Sequence, residues 1–330
     1  MSTVSTLADA ICSGDRRALA QAITLVESIL DEHQAQAREL LTQLMGRERQ
    51  ALRIGITGVP GAGKSTFIEA LGEKMIDRGA SLAVLTVDPS SAISGGSILG
   101  DKTRMPRLAA SNQAFIRPSP SAGNEGGVGR YTREAITLCE AAGFDHIIVE
   151  TVGVGQSELR VAQMTDLFVL LLVPGAGDEL QGIKRGVMEL ADVILVNKCD
   201  GELQRAAQRA VADYTAALRL MQPRTPGWTV PVLAVSAHTG EGVSGALDAI
   251  EGFHQHSLTE DIFSARRSRQ AREALAQVLR EGLLEHFMGD PETVRALETV
   301  RAEVVSGRMT PGVAAQQLLE AFTSKEGTRE

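Results

Sequence analysis

Short apolar runs alternate with helical patterns through the middle of this 330-residue chain. Six of the runs are almost continuously apolar, which is typical of strands that are buried on both faces of a sheet. They cover residues 52–57, 82–87, 144–149, 167–173, 193–196 and 230–235. Helical spacing is found between several of them, over residues 67–78, 131–142, 180–190, 202–221 and 242–253. This alternation predicts an α/β fold with a largely parallel sheet flanked by helices.

Both ends of the chain show helical spacing only. Residues 15–45 place apolar side chains three and four positions apart, which predicts two helices or one broken helix. A long helix is predicted over 261–288, and two shorter helices follow it, the last with Pro311 as its first residue. We therefore predict a helical extension over 1–50, an α/β domain over 51–257 and a second helical extension over 258–330.

The composition narrows the class of protein. The net charge is −8 and aromatic residues make up 3% of the chain, so neither a basic field nor a set of stacking platforms favours nucleic acid. The strongest apolar run, 167–173, is too short to cross a membrane, and the N-terminus lacks the pattern of a secretory signal or transit peptide. The three cysteines are far apart in sequence, which predicts a reducing, cytoplasmic setting.

A glycine-rich segment joins the first apolar run of the α/β domain to the helical pattern that follows it. The segment matches G-x-x-x-x-G-K-[ST], the P-loop, whose backbone N–H groups turn onto phosphate oxygens at a helix N-terminus. We expect Lys64 to lie along the β- and γ-phosphates and the Ser65 hydroxyl to bind Mg²⁺. The predicted binding residues are Gly58, Val59, Pro60, Gly61, Ala62, Gly63, Lys64, Ser65 and Thr66.

A second motif identifies the base of the nucleotide. Residues 197–200 read N-K-C-D directly after the fifth apolar run and match N-K-x-D. The Asp200 carboxylate can accept from the N1–H and N2 amine of guanine, which adenine lacks, and Asn197 can brace the base and the P-loop. The stem of Lys198 can cover one face of the base. Ser236-Ala237 follows the last apolar run, where the Ala237 N–H can donate to guanine O6. The sequence therefore predicts a site for GTP and GDP.

Three carboxylates are candidates for the metal and for hydrolysis. Glu150 ends the third apolar run, and Asp88 ends the second, while Asp101 lies in a glycine-rich stretch beyond it. Mg²⁺ takes one or two carboxylates besides phosphate oxygens and waters, so at least one of the three is free to orient the attacking water. The Gly153 amide is placed to sense the γ-phosphate.

Two further stretches need an interpretation. Residues 90–129 hold seven glycines and three prolines, too long a segment for an ordinary connection, and we interpret them as a nucleotide-responsive switch. The basic run Arg266-Arg267-Ser268-Arg269 in the long C-terminal helix is interpreted as a solvated face.

Several longer motifs resemble one family of proteins. They are GVPGAGKST at 58–66, VDPSS at 87–91, GGSILGDKTRM at 95–105, VETVGVGQSE at 149–158 and GDELQGIK at 177–184. These motifs resemble the MeaB/ArgK family, the P-loop GTPases associated with methylmalonyl-CoA mutase, which belong to the SIMIBI class. The resemblance runs over nearly the whole chain, including both helical extensions.

The resemblance implies a GTP-hydrolysing chaperone of an adenosylcobalamin-dependent acyl-CoA mutase. Such proteins gate cofactor loading, help exchange damaged cofactor, and form homodimers through the C-terminal extension. Asp88, Asp101 and Glu150 fall on the acidic positions of the family's magnesium site, and Lys184 falls on its third switch. We expect mutase binding to order residues 177–185 and bring Lys184 or Gln181 towards the nucleotide or its supporting carboxylates.

The sequence departs from the family pattern in two places. Asn124-Glu125 stands in a loop that is less acidic in relatives, and Cys199 replaces a small or acidic residue.

Two other functions stay open. One alternative is a metal-delivery GTPase of the same fold, which needs clustered His or Cys, whereas the six histidines are scattered. The other is a kinase of a transport protein, which has no use for N-K-x-D.

Overall fold

The computed structural model describes residues 3–47, 50–88, 105–120, 125–151, 157–174 and 185–326. Contacts divide the chain into two compact units, residues 1–268 and 269–330. The larger unit is built around one sheet of seven parallel strands. In chain order these are β1 (Leu52–Gly58), β2 (Leu82–Asp88), β3 (Ala114–Pro120), β4 (His146–Thr151), β5 (Leu167–Leu172), β6 (Val193–Val196) and β7 (Val232–Ala234).

Thirteen α-helices are found in the described part of the chain, and a 3₁₀ turn at Gly201–Leu203 precedes α9. The first seven are α1 (Thr3–Cys12), α2 (Arg16–Glu27), α3 (Asp31–Leu44), α4 (Lys64–Asp77), α5 (Pro106–Ala110), α6 (Glu125–Ala141) and α7 (Ser157–Ala162). The others are α8 (Arg185–Met188), α9 (Gln204–Leu218), α10 (Val243–Thr259), α11 (Ile262–Gly289), α12 (Pro291–Val305) and α13 (Pro311–Glu326). The α/β fold class is therefore confirmed, as are the long helix and the last helix, which begins at Pro311.

The strand order is β3-β2-β4-β1-β5-β6-β7, so β1 lies at the centre of the sheet. One face carries a core that includes Phe67 of α4 and Phe253 of α10. The other face is covered by α1, α2, α3 and α6, and Leu19, Ile23 and Leu40 contribute to its core. Because both faces are covered, strands such as β5 are apolar at every position. The P-loop thus follows the central strand, at the carboxyl edge where open α/β sheets bind ligands.

The first helical extension packs on the sheet within the larger unit, and it contains one helix more than predicted, α1. The smaller unit contains α12 and α13, which pack around Val300, Ala314 and Leu318. The domain boundaries at residues 50 and 257 stay predictions. No helix in the described ranges is long and apolar enough to cross a membrane.

The expectation that residues 90–129 are irregular was wrong in part, and their role as a nucleotide-responsive switch stays a prediction. This segment contains α5 and the edge strand β3, and α6 already begins at Glu125. Pro118 and Pro120 concealed the strand, since proline cannot donate to a ladder. The Gln113 carbonyl accepts from the Leu82 N–H of β2, so Pro118 and Pro120, which stand at even-numbered positions, turn the side that lacks an N–H to the open edge. Residues 89–104 and 121–124, with Asn124, lie outside the described residues.

The interpretation of the basic run as a solvated face was also wrong for two of its arginines. Arg266 is 4% exposed and lies 3.0 Å from Asp192, which precedes β6. Arg267 lies 2.7 Å from Asp166 and 3.2 Å from Glu140. Buried charges need partners, and here the partners stand 74 to 127 positions away in the chain. These contacts hold the first turns of α11 at the amino ends of β5 and β6.

Candidate nucleotide-binding site

The P-loop is a tight connection between the central strand and a helix. β1 ends at Gly58 and α4 begins at Lys64. A Cβ atom on Gly58 would stand 2.2 Å from the carbonyl oxygen of Leu171 in β5, so only glycine fits there. Gly63 has a φ of 87°, in the left-handed region, and a Cβ atom on it would meet Asn197 Nδ2 at 2.7 Å. The P-loop therefore packs closely against β5 at one end and against Asn197 at the other.

Lys64 is directed back over the loop. Its Nζ donates to the carbonyl oxygens of Gly58 at 2.8 Å and Val59 at 3.2 Å, and the residue is 8% exposed. Burial lowers the pKa of the Lys64 ammonium, and the charges of Glu150 and Glu158 oppose that shift. Two of its three N–H groups are thus engaged by described residues, which leaves one N–H for a phosphate oxygen.

Ser65 and Glu150 are brought together beside Lys64. The Ser65 hydroxyl donates to Glu150 Oε1 at 3.0 Å, and Glu150 is 7% exposed in β4. A hydroxyl and a carboxylate are the hard oxygen donors that Mg²⁺ prefers. The donor set therefore fits a magnesium ion. Asp88 is the last residue of β2 and stands at the same edge of the sheet.

The segment after β6 is tied to the P-loop through Asn197. The Asn197 Nδ2 donates to the Ala62 carbonyl at 2.8 Å, and its Oδ1 accepts from the Ala237 N–H at 3.0 Å. Asn197 is 2% exposed, so both bonds are protected from water. These two hydrogen bonds join Asn197 to the P-loop and to the segment after β7, whereas its bracing of the base stays a prediction.

The other base-recognition candidates surround this bridge. Lys198 is exposed and has a φ of 61°, a left-handed conformation that turns the chain sharply. Asp200 is half-buried two residues later, and the Cys199 N–H between them donates to the Val235 carbonyl. The motif is therefore anchored to the segment after β7 by its backbone.

Ser236 and Ala237 follow β7 and are both buried. The Ser236 Oγ accepts from the Thr239 N–H at 3.2 Å, which shapes the turn. Because the Ala237 N–H donates to Asn197, a bond from it to guanine O6 would have to share or replace that contact. The hydrogen bond from the Ala237 N–H to guanine O6 stays a prediction.

Several predicted site residues lie outside the described residues, namely Asp101, Gly153, Gln181 and Lys184. Conversely, the structure brings to the site residues that the sequence motifs do not predict. The Thr57 and Thr151 hydroxyls are 2.7 Å apart and join β1 to β4 at their carboxyl ends. Glu158 is buried in the first turn of α7, and its charge acts on Lys64. Its only signal in the sequence was its place at the end of the motif over 149–158.

Comparisons with known proteins agree with this geometry. A family model described as methylmalonyl-CoA mutase-associated GTPase MeaB matches residues 19–292. A probable GTPase of Mycobacterium tuberculosis is 51% identical over 318 residues, 96% of this chain and 95% of that protein. The mitochondrial methylmalonic aciduria type A homolog of Mus musculus is 45% identical over 332 residues, 98% of this chain and 80% of that protein. The crystal structure of a LAO/AO transport system kinase has 37% identity and a TM-score of 0.79, with 97% of this chain and 98% of that chain covered.

Proposed function

This chain belongs to the MeaB family of methylmalonyl-CoA mutase-associated GTPases and is itself a GTPase, and from that premise we propose that it serves an adenosylcobalamin-dependent acyl-CoA mutase as a chaperone. In this role it gates the loading of the cofactor and protects or reactivates the mutase. The observation that carries the proposal is the family match over residues 19–292, whose description names the association with the mutase. The name of the mouse relative, which refers to methylmalonic aciduria, supports the same metabolic class of partner.

The described contacts support specific roles at the phosphates. Lys64, held by the carbonyls of Gly58 and Val59, neutralises the β- and γ-phosphates with its free N–H. Ser65 and Glu150 hold Mg²⁺ together with Asp88 or Asp101, and the ion supplies positive charge to the phosphate oxygens. The remaining carboxylate orients the attacking water, and Gly153 responds to the γ-phosphate.

The base is held by the segment that Asn197 ties to the P-loop. Asp200 accepts hydrogen bonds from guanine N1–H and N2, and the Lys198 stem covers the ring. Because Asn197 contacts both Ala62 and Ala237, the base and phosphate subsites share one buried side chain. A nucleotide that fits the base subsite is therefore presented to Lys64 in a fixed register.

Signalling to the mutase involves residues 177–185. In our proposal mutase binding orders this segment and brings Lys184 or Gln181 to the nucleotide, which shifts a population of conformers towards the hydrolytic one. A supplied cation of this kind accelerates hydrolysis by about 10³–10⁵-fold in GTPases. Slow basal hydrolysis and strong stimulation by the mutase are expected.

The second subunit of a homodimer is proposed to cover α11. Large apolar side chains on this helix are 41–67% exposed, and they are Leu275, Val278, Leu279, Leu283 and Leu284. An exposed apolar surface of this kind is unusual on a monomer and is typical of an interaction site. The resemblance to a family that dimerises through its C-terminal extension selects a second copy of the chain as the partner.

The test is GTP turnover by the purified chain with and without an adenosylcobalamin-dependent acyl-CoA mutase. We expect the mutase to raise the rate, and the chain with GTP to alter the transfer of adenosylcobalamin to the mutase. A rate that no such mutase changes would contradict the proposal. GTP- or ATP-dependent phosphorylation of a transport protein would favour a kinase function, which is the function that the solved relative is named for. Stoichiometric nickel binding would favour metal delivery, for which the described residues offer no group of three or more ligands.

A further inference from the structure

Glu158 is a buried carboxylate without a hydrogen-bond partner at one of its oxygens. It lies in the first turn of α7 and is 8% exposed, and its Oε2 atom accepts from no donor among the described residues. An ionised carboxylate that is removed from water costs several kcal/mol unless an opposite charge or hydrogen bonds compensate it. Such a group is rarely retained for packing alone, so its neighbourhood is informative.

The packing of α7 places Glu158 beside the root of the P-loop. Val161, one turn further along α7, packs against Gly55 of β1, where a Cβ atom would lie 2.9 Å from Val161 Cγ1. α7 runs back from the carboxyl end of β4 towards the amino end of β5, antiparallel to β1. The three residues from Val161 back to Glu158 span about 4.5 Å of helix, which sets Glu158 between one and two residues further along β1, towards Thr57. The next residue is Gly58, whose carbonyl holds Lys64.

Lys64 is the cation on which the charge of this carboxylate acts. Glu150 and Glu158 both oppose the lowering of the Lys64 pKa that burial causes, with the larger effect from Glu150. The two carboxylates differ in their engagement, because Glu150 accepts from Ser65 whereas Glu158 Oε2 has no such donor in the described part of the chain. Glu158 therefore acts on Lys64 through the electric field rather than through a metal-binding contact.

We propose that Glu158 sets the nucleotide affinity of the site, because its buried carboxylate competes with the phosphates of GTP and GDP for Lys64. The inference rests on the proposed function in one respect, the assignment of Lys64 to the phosphates. Buried charges are screened much less than exposed ones, so a fixed anion near the triphosphate opposes its binding. The consequence is that bound nucleotide dissociates faster than it would without this carboxylate.

The test compares the full-length chain with its Glu158→Gln variant. Dissociation constants and dissociation rates of fluorescent GDP and of a non-hydrolysable GTP analogue are measured at fixed Mg²⁺. Glutamine has the same shape without the charge, so both nucleotides should bind about tenfold more tightly, mainly through slower dissociation. Glu134→Gln is the matched control, because Glu134 is a half-buried glutamate on α6 that is paired with Arg130. The Glu134→Gln variant should bind both nucleotides with the affinity of the wild type.

Two further variants separate the possible outcomes. Glu158→Asp keeps the charge and shortens the side chain, so it should tighten binding far less than glutamine, whereas a packing role would predict the reverse order. Lys64→Ala should lose nucleotide affinity if the assignment of Lys64 is right, and unchanged affinity there would overturn the proposed phosphate site itself. If Lys64→Ala loses affinity but Glu158→Gln binds equally or more weakly, only the inference about Glu158 fails. Loss of folding in Glu158→Gln, seen by circular dichroism, would also overturn it, since it would give the charge a structural role.

Discussion

The side-chain amide of Asn197 donates a hydrogen bond to the Ala62 carbonyl at 2.8 Å, across 135 positions of the chain. This contact joins the segment proposed to hold the base to the loop proposed to hold the phosphates. Its counterpart is the Ala237 N–H, which donates to Asn197 Oδ1. One buried side-chain amide therefore satisfies two buried backbone groups, the Ala62 carbonyl and the Ala237 N–H. Neither group has another hydrogen-bond partner among the described residues.

Replacement of this amide should weaken both the fold and nucleotide binding. Asn197→Ala leaves the Ala62 carbonyl and the Ala237 N–H buried without a partner, at a cost of about 1–3 kcal/mol each. Urea unfolding followed by circular dichroism should show a loss of about 2 kcal/mol or more in the free energy of unfolding. Asn112→Ala, at an exposed turn residue, is the control and should change it little. Equal stability of the two variants would contradict the bridging role.

The choice of base should depend on Asp200. In Asp200→Asn an amide faces guanine's donors, so GTP affinity should fall by up to about 10⁴-fold and xanthosine triphosphate, with oxygen at C2, should be preferred. Calorimetric titration with both nucleotides measures the change. Asp213→Asn removes an exposed carboxylate on α9 and should bind GTP like the wild type. A wild-type chain that binds ATP and GTP equally would remove the basis of this prediction.

The buried ion pair between Arg266 and Asp192 should be required for stability. Arg266→Ala leaves the Asp192 carboxylate, which is 1% exposed, without its closest cation, and truncation of one partner of a buried pair costs about 3–5 kcal/mol. Chemical denaturation of the full chain gives the value. Arg269→Ala removes a neighbouring arginine whose side chain is 57% exposed, and should cost less than about 0.5 kcal/mol. If both variants lose similar free energy of unfolding, the buried ion pair of Arg266 adds nothing to the stability of the fold.

Two histidines should make the fold sensitive to acid. Burial lowers the pKa of His146, and the nearby positive charge of His254 lowers it further, while Asp145 and Glu251 oppose both effects. The pKa of His254 is lowered in the same way by burial and by Arg267, against Asp166. Below about pH 6.5 the unfolded chain therefore binds more protons than the folded chain, and stability falls as the pH drops through the folded pKa values.

This dependence can be measured by urea unfolding at about pH 5 and about pH 7.5. His146→Gln should reduce the difference between the two conditions, because glutamine does not titrate and the Nδ1 atom of His146 has no hydrogen-bond partner among the described residues to lose. His238→Gln, at an exposed residue, should leave the difference unchanged. If the difference in stability between the two pH values is the same in His146→Gln as in the wild type, the acid sensitivity comes from other groups.

The proposed dimer should depend on the exposed leucines of α11. A Leu279→Glu, Leu283→Glu double variant places two charges in the apolar surface and should sediment as a monomer. Point substitutions are preferable to truncation at residue 258, which would also remove Arg266 and Arg267 from their buried partners. Leu220→Lys changes a leucine that is 88% exposed elsewhere and should leave the dimer intact. A dimer that survives the double variant would exclude this surface.

Local chemistry in the sequence was sufficient for the motifs and insufficient for their tertiary partners. The P-loop between a strand and a helix and the N-K-x-D segment after β6 are defined by neighbouring residues, and both stand where the pattern predicted. β3 was missed because its prolines are tolerated only on an edge strand, and edge position is a property of the sheet. Arg266 looked like a surface residue because Asp192 is far away in sequence. Glu158 gave no sign of burial, since an acidic residue in a first helical turn is ordinarily solvated.

The chain contains a single tryptophan, Trp228. Its indole N–H donates to the Asp192 carbonyl at 2.8 Å, and its ring meets Phe253 edge-on and lies against His256. The tryptophan fluorescence of the native protein therefore comes from Trp228 alone, at the amino end of β6. The protein thus carries a built-in optical reporter there, and loosening of the Arg266–Asp192 contact should appear as a shift of emission to longer wavelength without any attached dye.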